Sequence, residues 1–271
     1  MFLQQVINGL MAGSMYSLVA VGYTLIFGLL NLMNLAHGEV FMAAGFIGLF
    51  FLVGLKTNIY ITVGAAIIGA GLIGLLIELI CFRYVKKEYP MAPFLGTIGF
   101  GTTLTNLIVN LAGSEPSAFP AALKVPDFEV GDLLISSVQL LILGIAIVLM
   151  VGLTLLIGRT RLGRSMRAIA ENLVASHLLG INVTRVIVLA FFISSAVAGI
   201  AGILMALRFG QISPFIGGHT GMKGIAVMVI GGLGNVQGAM ITGIIVGQVE
   251  VLVMAYGSAS YVYAFVDRKS V

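Results

Sequence analysis

Seven long apolar stretches recur along the chain, at 4–29, 39–55, 60–82, 93–112, 133–157, 186–207 and 235–256. A helix needs about 20 apolar residues to cross a hydrocarbon core. Only helices and closed barrels satisfy their backbone groups in lipid. Barrel strands read as ~10-residue alternating segments, and these runs are long and continuous. The pattern predicts an all-α, polytopic transmembrane bundle of about seven to eight spans. A shorter stretch, 221–232, lies between Gly217, Gly218, Gly221 and Gly231, Gly232, Gly234. It predicts a half-helix or re-entrant segment, which is tolerated only where protein or a cavity surrounds it.

Composition agrees. Hydrophobic residues make up 59% of the 271 and charged residues 9%, against about 25% charged in soluble domains. Such a chain needs lipid as its solvent, and 1–271 reads as one transmembrane domain. Met1–Leu30 lacks a basic n-region and a small-residue cleavage site, so it is expected to stay as a span. The lone Cys81 sits in an apolar run, as a small buried hydrophobe does.

The net charge of +4 sits in a few loops and reports orientation rather than nucleic-acid binding. Arg83, Lys86 and Lys87, and Arg159, Arg161, Arg164, Arg167 and Arg185, mark two cytoplasmic loops. Between them, Glu115, Asp127, Glu129 and Asp132 against one Lys124 mark an outer loop. The N-terminus is then outside, and Asp267, Arg268 and Lys269 are cytoplasmic.

Ionisable residues at membrane depth are costly and tend to be functional. Those singled out are His37, Glu39, Glu78 and Glu250. His37-Gly38-Glu39 reads either as an interfacial loop or as a broken helix lining a route. Glu78, near Arg83, reads as a snorkelling or locally paired carboxylate. Glu250 with Gln248 fits helix–helix bonding and solute contact equally. Glycine pairs such as Gly9/Gly13, Gly45/Gly48, Gly199/Gly202 and Gly243/Gly247 predict close helix packing. His37–Gly38 and Gly218–His219 faintly echo one another, as an inverted repeat would. No catalytic set, metal-ligand pair or P-loop is present, so no enzyme activity and no bound cofactor are expected.

The 158–185 loop carries the most information. Met166, Ile169 and Leu173, with Ala170, Val174 and His177, recur at helical spacing and predict one helix over 164–179, stopped by Gly180. It reads either as a basic surface helix or as a docking helix. The elements Gly163-Arg164, Arg167-Ala168, Ala170-Glu171, Ala175 and Leu179-Gly180-Ile181-Asn182 resemble the cytoplasmic signature of permeases from branched-chain amino-acid ABC importers. Asn34-Leu-Ala-His-Gly-Glu39 and Gly231-Gly-Leu-Gly-Asn235 followed by Gly238-Ala239 resemble two further elements, in the family's order. Together they cover about residues 5–256 and suggest the shorter, LivH-like type.

The resemblance implies a permease with a second related permease, two ATPase subunits holding ATP and Mg, and an extracytoplasmic solute-binding protein, in a bacterial-type inner membrane. Arg164, Arg167, Ala170, Glu171, Ala175, Leu179, Gly180, Ile181 and Asn182 would couple to the ATPase. Asn34, His37, Gly38, Glu39, Gly231, Gly232, Gly234, Asn235 and Glu250 are candidates for the translocation path, with both chain breaks meeting there. Transport would proceed by alternating access. Urea or short amides remain alternative solutes, and an ion-coupled secondary transporter the alternative class. The family pattern continues into a further apolar span, which Tyr261–Val266 begins before Asp267-Arg-Lys-Ser-Val271.

Overall fold

The structure is a computed structural model that describes residues 2–85, 91–120, 128–130 and 133–256. Lys86, Lys87, Lys124, Asp127, Asp132 and the C-terminal segment from 257 lie outside the described residues. Among the described residues, seven helices are long and apolar enough to span a membrane. They are α1 (Phe2–Leu30), α2 (His37–Leu49), α3 (Ile59–Ile77), α4 (Met91–Ala112), α5 (Ser137–Arg159), α8 (Val183–Phe209) and α10 (Val236–Tyr256). α2 and α3 run on into π-helical turns, Phe50–Gly54 and Glu78–Arg83. Between the spans lie α6 (Arg161–Glu171), α7 (Leu173–Leu178) and the half-length α9 (Ile216–Gly231). The chain is a multi-pass membrane protein.

α1 is the most enclosed span, buried almost continuously from Gly9 to Ile26. It carries no polar face, which suits a helix surrounded by protein. It packs antiparallel on α10 through small residues: a Cβ on Gly13 would collide with the Ile244 backbone, and one on Gly247 with Gly13. Ser17 Oγ donates to the Met240 carbonyl at 2.7 Å across the same seam. α3 packs on α8 in the same way, with Gly199 against Ala66 and Ala70. Without a hydrophobic drive between helices in lipid, such close approach is what holds them together. The expected glycine packing is therefore present.

The ends of the bundle differ. At one end Ser117–Ala118 (β1) pairs antiparallel with Gln211–Ile212 (β4), just beyond α8; β2 (Phe128–Val130) and β3 (Leu133–Ile135) form a separate hairpin. At the other end lie α6 and α7, which lead into α8. The end of α3 belongs there too, because the Phe82 ring packs at a tilt on Phe191 of α8, with centroids 5.0 Å apart. Arg83 and the arginines of α6 thus share an end, and the β1–β4 ribbon lies opposite. Glu78 pairs with Arg83 as expected, at 2.5 Å, across the i, i+5 spacing that a π turn brings into line.

An inverted repeat is built into this frame. α1 and α8 are each followed by one left-handed residue, Asn31 (φ 53°) and Gly210 (φ 64°). Matching turns follow, His37 N–H to the Asn34 carbonyl at 3.3 Å and Ile216 N–H to the Ser213 carbonyl at 3.2 Å. α2 and α9 then begin. Gly38 and Gly217, equivalent in this alignment, face one another: a Cβ on Gly217 would lie 2.8 Å from the Gly38 carbonyl oxygen. α1 ends against α6, where α8 begins, so the halves run in opposite senses, as in other transport folds. The faint dipeptide echo was one residue off: the counterpart of Gly38 is Gly217, and that of His37 is Ile216. Gly217, Gly218 and Gly221 also lie within α9 instead of leading into it, because α9 starts at Ile216 and lays Gly217 and Gly221 on Gly38.

Candidate functional site

α6 and α7 correct the expectation of one helix over 164–179. Asn172 is extended (φ −153°, ψ 104°) and ends α6, while its side chain accepts from Ala175 N–H and opens α7. Asparagine favours such a cap over a helix interior. α6 is strongly amphipathic: Gly163, Met166 and Ile169 face inward, and Arg161, Arg164, Arg167 and Glu171 face outward. Gly163 has room for no Cβ, since one would strike the Leu156 and Ile157 carbonyls where α5 turns into α6. Arg164 donates to the Arg159 carbonyl, and Arg167 to those of Ile157 and Gly158. These guanidiniums thereby serve the unpaired C-terminal carbonyls of α5.

α7 leaves Val174, Leu178 and Leu179 exposed at 64%, 85% and 79%. Gly180 takes φ +78°, and Asn182 caps α8 by accepting from Arg185 N–H at 3.0 Å. Ala170 lines a small cavity of about 70 Å³ with Met166, Leu25, Leu29 and Gly234. The α6 segment therefore sits directly on the end of α1 and on the α9–α10 turn.

That turn explains its own motif. Gly232 and Gly234 have φ of +97° and +80°, Asn235 Oδ1 accepts from Gly238 N–H at 3.0 Å, and Gly231 and Gly238 touch backbone to backbone. Gly231, Gly232, Gly234, Asn235 and Gly238 thus each serve a tight helical hairpin. The turn rests on Gly28, whose Cβ would lie 3.0 Å from Gly234.

The other break, Asn34–Glu39, packs elsewhere. His37 is fully buried, filling the space left by Gly22 and meeting the Tyr23 ring edge-on at 4.7 Å. Gly38 N–H donates to Tyr23 Oη at 3.2 Å. Leu35 N–H donates to Thr97 Oγ1 on α4 at 3.2 Å, and the Glu39 carboxyl faces Gly101 of α4. The side-chain amide of Asn34, both ring nitrogens of His37 and one carboxyl oxygen of Glu39 have no hydrogen-bond partner among the described residues. The first break thus meets the start of α9, while the second meets α6. Both lean on α1, at Gly22 and Gly28, about 9 Å apart along its axis.

Glu250 is an ion-pair partner. Lys223, on the half-helix α9, donates to Glu250 Oε1 at 2.7 Å and to Tyr16 Oη at 3.0 Å. Sequence reading passed over Lys223 by counting 221–232 as plainly apolar. Yet a lone lysine in a stretch too short to span is itself a signal.

A model of the family described as "Branched-chain amino acid transport system / permease component" matches residues 5–266. This chain belongs to that family. It is 37% identical to the high-affinity branched-chain amino acid transport system permease protein LivH of Salmonella typhimurium, over 96% of this chain and 88% of the relative. Against the high-affinity branched-chain amino acid transport system permease protein BraD of Pseudomonas aeruginosa, identity is 36% over 92% of this chain and 85% of the relative. A probable LivH of Methanocaldococcus jannaschii is 26% identical over 90% and 78%. No solved structure gives a significant match. As a family member the chain is a transport permease subunit.

Proposed function

We propose that this chain is the permease of a binding-protein-dependent, ATP-driven importer for branched-chain or related amino acids in a bacterial-type inner membrane. The observation that carries the reading is the α6–α7 platform of a permease-family chain. Exposed apolar Val174, Leu178 and Leu179 stand among charged side chains at one end of the bundle. An exposed apolar group of this kind, rimmed by charge, marks a protein-binding surface. Two ATPase subunits, which bind ATP and Mg, would dock there, one on this chain and one on a second related permease. The opposite end would receive an extracytoplasmic binding protein.

α4 supports the second permease. Its outward face carries Thr102, Thr103, Asn106 and Asn110, whose donors return to the helix's own carbonyls. Hydrocarbon solvates such a face poorly, and a neighbouring helix satisfies it. The Asn34–Glu39 break, with its unsatisfied polar atoms, lies just behind α4 and is the part of the path that a solute would meet. Co-reconstitution with the ATPases, second permease and binding protein encoded beside this gene tests the reading. Leucine uptake that requires ATP and the binding protein is the expected result. Uptake by this chain alone, driven by an ion gradient, would replace the reading with a secondary transporter.

A further inference from the structure

Among the described residues the membrane-spanning helices carry three carboxylates, Glu39, Glu78 and Glu250. Glu78 is paired with Arg83 and Glu250 with Lys223. Glu39 has no ion-pair partner among the described residues, and its Oε2 is buried without a hydrogen bond. An unpaired carboxylate at membrane depth is costly and points to function. The depth follows from α1: His37 fills the space beside Gly22, about 12 Å before that helix ends at Leu30. Glu39 lies in a slot between two glycines. Its carboxyl carbon and Oε2 would be 3.2 Å from a Cβ on Gly101 of α4, and its Cα 3.0 Å from one on Gly217 of α9. Every other residue of α2 from His37 to Phe46 is buried, and Glu39 alone is not. Its accessible side therefore faces the groove between α4 and α9. Gly218 follows Gly217 by a turn of about 100°, on the flank away from Lys223 and α10. It is exposed, and a Cβ there would meet nothing within 4 Å, so this flank leaves room beside the slot.

We propose that Glu39 binds the ammonium group of the transported amino acid. The slot holds one negative charge and no competing cation. An ammonium is a compact charge with three donors, and it suits a slot walled by bare backbone. A hard metal ion would need a shell of oxygens. Among the described residues no three carboxylate, cysteine or histidine side chains stand together. Thr97 Oγ1, one turn before Gly101, is already engaged: it donates to the Phe94 carbonyl and accepts from Leu35 N–H. A neutral solute such as urea gains nothing from the charge, so the site favours amino acids over amides. Glu39 belongs to α2 and rests on Gly217 of α9. A solute held there sits on the contact between the two half-repeats.

This inference rests on the amino-acid importer reading, and the experiment separates the two. A hydrophobic carbodiimide couples to carboxyl groups in apolar surroundings, and peptide mass spectrometry reads Glu39 by itself. In the complex of permeases and ATPases without binding protein, Glu39 should be modified. Leucine and leucinol at high concentration should each slow the modification about tenfold or more, the loss expected for one charge-assisted bond. Isovalerate, which lacks the ammonium, and sodium should not. Equal protection by isovalerate, or protection by sodium and not by leucine, overturns the site. So does an unreactive Glu39 in the free complex, the result expected if a cation of the second permease already holds it. Glu39→Gln gives a second readout. Removing an unpaired charge should leave the melting temperature no lower and ATP hydrolysis still stimulated by the liganded binding protein, while leucine uptake falls about tenfold or more. Wild-type uptake in Glu39→Gln, or loss of melting temperature and ATP hydrolysis along with uptake, makes Glu39 a structural residue and overturns the site. Leucine uptake by the wild-type importer with both tests negative removes the site and leaves the importer reading. Absence of branched-chain amino-acid uptake by the wild-type importer removes both.

Discussion

Gly217→Ala and Gly218→Ala differ by one position on one helix and should have opposite effects. A Cβ on Gly217 would lie 2.8 Å from the Gly38 carbonyl oxygen and 3.0 Å from Glu39 Cα. Both obstacles are backbone, so no side chain can rotate away, and α2 and α9 must separate. Overpacking of this kind costs about 1–3 kcal/mol. A Cβ on Gly218 meets nothing within 4 Å and gains up to about 1 kcal/mol of helix propensity. The expected gap is about 2–4 kcal/mol, or roughly 30-fold to several hundred-fold in the folding equilibrium. Titrating the detergent-solubilised protein with SDS and following helicity measures it. Uptake should fall in Gly217→Ala, since the shifted contact is the one that seats His37-Gly38-Glu39. If the two variants unfold at the same SDS fraction, the Gly38–Gly217 contact does not hold the halves together, and the argument from the inverted repeat fails.

Gly180→Val should cost about 1–2 kcal/mol at a residue held at φ +78°; solute-stimulated ATP hydrolysis of the assembled importer should drop while membrane insertion, read by fractionation, is unchanged. Asn235→Ala should lose about 1 kcal/mol by removing the cap on α10, read in the same SDS titration, and Asn235→Asp should keep it. Asn106→Leu with Asn110→Leu should leave the isolated subunit as stable as before but weaken its co-purification with the second permease. In a Cys81→Ser background, Ser117→Cys should react with an impermeant reagent added outside and Val174→Cys only after permeabilisation; the reverse pattern would invert the orientation.

The seven spans were legible because lipid imposes a length and composition that no soluble helix needs, and their ends fell within a few residues of expectation. The turn at Gly231–Asn235 was legible as a break, though not as the reason for its residues: two positive φ angles, one cap and one close approach. The platform helix was misread as continuous because 3–4 periodicity carries across Asn172. The better clue was that asparagine three residues ahead of an unpaired N–H, as at Ala175, starts a helix. Lys223 escaped because its meaning is tertiary. Its partners lie on helices far away in sequence, Tyr16 and Glu250, and nothing local distinguishes a paired lysine from a stray one. The inverted repeat was hidden for a similar reason, since backbone conformation is repeated where residue identity is not: histidine answers to isoleucine and asparagine to serine.

The placement of α1 bears on how a push at one end could reach the other. Its last turns, Leu25 to Leu29, bear on α6, and Gly28 touches the α9–α10 turn. Gly22 makes room for His37 and accepts through its carbonyl from Ser194 of α8 at 2.8 Å. Gly9, Gly13 and Ser17 lie on α10, and Tyr16 holds Lys223. Most of these contacts involve glycine, where backbone meets a neighbour with no intervening side chain. Side-chain layers absorb small displacements by changing rotamer; backbone-to-backbone seams have nothing to rotate and move as bodies. On the importer reading, force delivered by an ATPase to α6 therefore reaches the Asn34–Glu39 break and the Lys223–Glu250 pair through one stiff helix. On that reading, alternating access would consist of the two half-repeats turning about the Gly38–Gly217 contact, with α1 of the first half bonded to α8 of the second through Gly22 and Ser194.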